Sequence, residues 1–502
     1  MRRKNIIKNI STSLFLQVLT IICGFIVPKL IIEAYGSDTN GLISSITKFL
    51  GYIVLLESGF GPVVKSLLYK PIAKKDKQEL ESVLKSSELF FRKVAAIFIV
   101  YIIILCFVYP LFINKEFDAL FTISLIIIIS ISTFSEYFFG ITYKLYLQSE
   151  QKSYITSYIE IIATILHAIV VVILVYLKCD VRIVKFATVI IFLMRPIFQN
   201  LYVKRKYNID LKHVKETKKI EQKWDGMAHH IASVIHENTD VAVITIFMNL
   251  KEVSVYSIYF LVVGGIRSLS QSFSSGVDAS WGDMIARKEH DNLNIKFNRY
   301  KSLYDIITAI IFICTFILII PFVKVYTKDF TDYNYIRPLF GYILVLAEFI
   351  WIVRQPYNDL IKAAGHFKQT KKGAILEAII NILLSIILVN KFGLVGVAIG
   401  TFVAMTFRMI YFINYSSKNI LKSSLLKQYN RLFIIILEFI SVYFICRFVN
   451  KVTFDSFIIW IKYAFIVFGI TSIVVLIINL IFNNKEMKNI FVDLKSRFLL
   501  KK

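Results

Sequence analysis

Apolar runs of about 20 residues recur from one end of this chain to the other, each long enough to cross the roughly 30 Å hydrocarbon core of a bilayer as a helix. Inside hydrocarbon, backbone donors and acceptors must be satisfied within the segment, and a helix does this residue by residue. Fourteen such runs can be drawn, over 11–32, 42–68, 94–113, 119–147, 154–177, 183–203, 226–248, 254–285, 303–326, 339–361, 371–389, 393–413, 432–449 and 457–482. A content of 57% hydrophobic and 15% aromatic residues, with mean hydropathy +0.65, fits no soluble domain. The expected fold is an all-α integral membrane protein with about 14 transmembrane helices. The first run, Ser11 to Ile32, is too long for a signal peptide and shows no small-residue cleavage site before Pro28, so it counts as a span.

The formal charge of +25 would suit a nucleic-acid binder, but the basic residues sit mostly between the runs, in alternate segments. Arg2 to Lys8, Lys70 to Lys93, Lys204 to Lys223, Arg287 to Lys301, Lys362 to Lys372, Lys418 to Arg431 and Lys485 to Lys502 carry most of them. The positive-inside rule then predicts a multi-pass protein with both termini in the cytoplasm, and no nucleic-acid partner is expected. Five cysteines without CxxC spacing indicate neither a metal site nor a disulfide framework.

The chain repeats itself. SYIEIIATILHAIVVVILVYL with its successor through MRPIFQN is matched by AILEAIINILLSIILV through FRMIYFI, so Glu160 and Arg195 recur as Glu377 and Arg408. Six spans per copy give both copies the same orientation, which predicts two six-helix lobes with parallel repeat symmetry and two further C-terminal helices. The divisions expected are an N-lobe over 1–210, a cytoplasmic linker over 211–224, a C-lobe over 225–415, and helices thirteen and fourteen with a cytoplasmic tail over 416–502.

Charges inside the runs are costly and usually face protein or water. Arg267 lies roughly 20 Å into span eight, at 1.5 Å per residue, too deep to snorkel easily. It is read either as a cavity cation or as half of a buried ion pair. Lys48 and Lys29, nearer helix ends, either line the same cavity or reach the interface. Arg354, just before Pro356, suits cavity lining and helix packing equally. Span seven holds His236, Glu237 and Asp240, and Glu237 and Asp240 stand three apart, as residues sharing a helix face do. Together with Glu57 they are candidates for proton or sodium coupling, or else for a water-exposed wall paired to Arg267. Glu160 with Arg195, and Glu377 with Arg408, are expected to be structural intramembrane pairs, since buried opposite charges pair. Glu136 and Glu348 are intramembrane without an assigned partner.

YGSDTNGLISS closing the first external loop, LLESGFG in span two, HENTDVAVI in span seven and LEAIINILLSIILVNKFGLVGVAIGT across spans eleven and twelve give the chain a resemblance over its whole length. It resembles the polysaccharide-transporter family of the multidrug/oligosaccharidyl-lipid/polysaccharide (MOP) exporter superfamily, which includes Wzx-type flippases of O-antigen and capsule repeat units. The resemblance implies a V-shaped molecule whose central cavity, lined by spans one, two, seven and eight, opens alternately to each face of the bacterial cytoplasmic membrane. The cargo it implies is an oligosaccharide on a polyprenyl pyrophosphate, handed on for surface polysaccharide biosynthesis, with polysaccharide polymerase machinery and membrane lipids as partners. A sugar headgroup needs a wet path through hydrocarbon, and a pyrophosphate binds fixed cations well in a low-dielectric site.

No GxxxxGK[ST] loop, sugar-nucleotide domain or metal-ligand spacing is present, so neither an enzyme nor a cofactor is expected. The competing readings are a multispan polysaccharide polymerase or glycosyltransferase, a drug exporter, and a peptidoglycan-precursor exporter of the same superfamily.

Overall fold

A computed structural model describes residues 2–57, 59–113, 116–211, 213–214, 227–274, 277–449, 453–484 and 486–488, and all their regular structure is helical. Most of the expected linker over 211–224 and of the C-terminal tail lies outside them. Two compact units emerge, Met1–Ser257 and Ile258–Lys502, and the division between them falls inside one helix.

The first unit begins with α1 (Arg2–Gly51), in which Gly36 adopts φ 84° and ψ 167°, a conformation open to glycine. That single residue separates the first two expected spans. After it come α2 (Val54–Glu57), α3 (Phe60–Lys74), α4 (Lys77–Ile113), α5 (Ala119–Ser135), a π-helical turn (Glu136–Gly140), α6 (Ile141–Ser149), α7 (Ser153–Tyr176), α8 (Val181–Tyr207) and α9 (Met227–Phe247). Asp180 caps α8, accepting from the Arg182 N–H at 2.8 Å, and the Arg182 side chain, aided by this backbone bond, holds its carboxyl below the usual range. Tyr35 donates to the Cys179 carbonyl at 2.6 Å and ties α1 to the α7–α8 turn.

Helix α10 (Leu250–Ser274) begins in the first unit and continues into the second. The second unit adds α11 (Val277–Ala286), α12 (His290–Tyr326), α13 (Pro338–Val353), α14 (Gln355–Ala363), α15 (Phe367–Phe392), α16 (Leu394–Ser416), α17 (Leu425–Val449) and α18 (Phe457–Phe482). A core of Ile306, Ile313, Val442, Tyr463, Val467 and Val475 joins α12 to the last two helices. Helices α15 and α16 cross so closely that a Cβ on Gly396 would lie 2.2 Å from the Leu388 carbonyl oxygen.

Large apolar side chains such as Phe107, Leu120, Tyr176 and Phe448 stand exposed on the outer faces, as a bilayer requires. Ten described helices are long and apolar enough to span, which makes this a multi-pass membrane protein. Spans one and two run through one continuous stretch across Gly36, and α8, α9 and α17, expected as spans, are long helices outside the ten.

Candidate functional site

In the first unit, the second half of α1 zips along α9 and the start of α10. Gly41 permits this approach, for a Cβ there would fall 1.8 Å from the Leu250 carbonyl oxygen. Asn40 donates to Ser254 at 2.7 Å, Ser45 and Thr245 hydroxyls meet at 2.7 Å, and Lys48 donates to the Glu237 carbonyl at 2.9 Å. Asp38 pairs with Lys251 at 3.5 Å. Small and polar residues replace aliphatic packing along this seam, as they do where membrane helices approach closely.

The candidate coupling residues do not gather at one point. Asp240 is 2% exposed and accepts from the Tyr256 hydroxyl at 3.1 Å, and His236 is also buried, whereas Glu237 turns outward. The expected shared face of Glu237 and Asp240 is therefore split. Packing against α1 and α10 covers one edge of α9 and leaves the other open. Lys29 bonds within its own turn to Glu33 at 3.5 Å.

Glu57 belongs to a different constellation, a polar cavity of about 450 Å³ within the first unit. Its wall includes Glu57, Lys65, Glu136, Tyr137, Lys144 and Gln148. Tyr137 donates to Glu57 at 3.3 Å, and Lys144 bridges Glu136 at 3.6 Å and Glu160 at 3.3 Å. The π-helical turn makes this geometry: the extra residue sets Glu136 and Lys144, eight apart, about as residues seven apart on an α-helix, within roughly 20° of alignment. A Cβ on Gly140 in that turn would come 2.8 Å from the Pro196 Cβ, so α8 can pack onto it.

Here the expected Glu160–Arg195 pair is corrected. Lys144 takes the Glu160 carboxylate, and Arg195 instead stacks on Phe192 at 4.4 Å. Lys144 lies inside the fourth apolar run, over 119–147, near its end.

In the second unit the repeat's other pair does form, with Arg408 bridging Glu377 at 3.5 Å. The same carboxylate also binds Arg354, which is buried and packed near Trp351 and Phe412. Arg354 is thus held in a buried ion pair between helices.

Arg267, on α10, pairs with Glu348 of α13 at 3.4 Å, with side chains 12% and 1% exposed. Its guanidinium lies 4.8 Å from the Trp351 ring centre and 5.7 Å from that of Phe260. Carboxylate and rings hold the cation in one orientation while the charge stays partly accessible. Glu348 so acquires its partner. No group of three or more His, Cys, Asp or Glu side chains suited to a metal occurs among the described residues.

No family model matches the sequence, and no curated protein matches it. Solved structures do. The lipid II flippase MurJ, in an inward closed conformation, is 17% identical with a TM-score of 0.66, over 95% of this chain and 98% of that one. An inward-facing multidrug resistance MATE family transporter of the MOP superfamily is 15% identical with a TM-score of 0.61, over 82% of this chain and 98% of that one. This chain has the MOP-superfamily fold. An outward-facing MATE transporter of the MOP superfamily gives 14% identity and a TM-score of 0.53. Within this fold, the Arg267 pair, the Glu57 cavity and the α1–α9 seam bring charged and polar side chains together.

Proposed function

We propose that this chain flips a polyprenyl-pyrophosphate-linked oligosaccharide repeat unit across the bacterial cytoplasmic membrane by alternating access, for surface polysaccharide assembly. The observation that carries the reading is Arg267, a cation held inside a membrane helix by Glu348, Trp351 and Phe260. Such a group suits a pyrophosphate, which gains charge-assisted hydrogen bonds wherever water is scarce. Lys48, at the seam of the first unit, and Lys29 are further candidate cations for an anionic cargo. The hydrogen-bonded seam of α1 with α9 and α10 serves in this reading as the external gate.

Coupling to a proton or sodium gradient is assigned to Glu57 and to the buried His236 and Asp240. A translocated unit would then pass to polymerase machinery. A second reading, export of a peptidoglycan precursor, is favoured by the similarity to the MurJ flippase across nearly the whole of both chains.

Deleting the gene in a host that makes a surface polysaccharide tests the proposal. Complete lipid-linked units should accumulate on the cytoplasmic side. Single units gathering on the outer face would show a polymerase instead. Rescue of cells lacking their peptidoglycan-precursor flippase would favour the second reading.

A further inference from the structure

We propose that the first unit carries a site for an anionic glycerophospholipid, in a groove between α7 and α8 that opens to the bilayer. The groove has a volume of about 1050 Å³. Its α7 wall runs from Tyr154 through Tyr158 and Ile162 to Leu166, and its α8 wall from Ile191 through Met194 and Phe198 to Tyr202, Arg205 and Lys206. The twelve steps along α7 from Tyr154 to Leu166 make it roughly 18 Å long at 1.5 Å per residue. That is about one leaflet, half of the ~30 Å hydrocarbon core. Its occupant is therefore a chain of leaflet length, and a longer polyprenyl tail would extend past the last lining residues, Leu166 and Ile191.

Charge fixes the headgroup. Arg205 and Lys206 stand exposed at the mouth, and among the described residues neither pairs with a carboxylate. Lys8 joins them over the Tyr154 ring at 5.2 Å. The nearby Lys152 is already taken by Glu150 at 3.0 Å and Tyr207 at 2.7 Å. Deeper in, the wall is apolar: Ile162 and Phe198 are exposed, and Arg195 lays its charge on Phe192. Tyr154, Tyr158 and Tyr202 flank the mouth, where aromatic rings settle at a membrane interface. The basic end is the one that the distribution of Lys and Arg assigns to the cytoplasm, so the lipid comes from the inner leaflet.

Native mass spectrometry of the full-length protein, released from detergent with phosphatidylglycerol or phosphatidylcholine added, tests this. The wild type should hold one phosphatidylglycerol more tightly than any phosphatidylcholine. R205A/K206A should bind it about thirtyfold more weakly, from about fivefold per basic residue at an anionic surface. I162W, which fills the groove and keeps both cations, should also lose it, while K74A/K75A, removing two lysines elsewhere, should retain it. Equal retention of the two lipids, unchanged binding in I162W, or an equal loss in K74A/K75A would each overturn the proposal. So would displacement of phosphatidylglycerol by a polyprenyl phosphate at equal concentration.

Discussion

Arg267 and Glu377 illustrate how differently two buried charges can be used. Glu377 is enclosed by Arg354 and Arg408, the latter only 2% exposed, so its removal strands two guanidinium groups away from water. Glu377→Ala should therefore cost about 3–5 kcal/mol of stability, read as a lowered thermal midpoint in detergent, with Glu377→Asp recovering part of it. Arg267 keeps some exposure but its partner Glu348 is 1% exposed, so its loss should be felt in transport as well as in folding. Arg267→Ala should slow delivery of lipid-linked units about tenfold or more, the worth of a charge-assisted hydrogen bond. Arg267→Lys should not restore it, because an ammonium lacks the planar fork that the two rings and Glu348 orient. Measuring lipid-linked intermediates alongside the thermal midpoint separates the two effects. The repeated Glu and Arg were visible in the sequence, yet only one copy pairs as written. Lys144 reaches Glu160 first, and nothing along the chain showed how near it would come.

At the scale of elements, close approach depends on glycines and on one irregular turn. Gly41 lets α1 rest on the Leu250 carbonyl, and Gly41→Val should force the seam apart. A disulfide between Ser45→Cys and Thr245→Cys, whose hydroxyls meet at 2.7 Å, should form readily and fall severalfold in yield once Gly41→Val is added. The π-helical turn over Glu136–Gly140 is the second device, since it aligns Glu136 with Lys144 and makes the cavity polar. Apolar periodicity marks a helix through this region but does not mark one extra residue within it, because neighbouring helices stabilise the wider turn. Polar helices pose the opposite difficulty. Helix α9 is expected from its length, although its His, Glu and Asp residues weaken the apolar signal; Asp240 accepts from the Tyr256 hydroxyl of α10 and His230 meets the Val54 carbonyl of α2.

For the whole molecule, orientation is the property most open to test. Cysteines placed at Lys178 and at Lys75, on opposite sides of the expected membrane, should react with an impermeant thiol reagent from outside and only after permeabilisation, respectively. Reaction of both from one side would invert or break the expected topology. The sequence by itself determined that this is a helical membrane protein, that its halves repeat, and which charges lie within its spans. Those facts follow from hydrocarbon length and the cost of burying charge, which act on each segment separately. Tertiary structure alone decided which charge meets which. It joined Arg354 to Glu377, gave Glu348 to Arg267, moved Glu160 to Lys144 and packed α9 against α1. Pairing energy depends on distances of a few ångströms between helices far apart in the chain, and no local pattern encodes those distances.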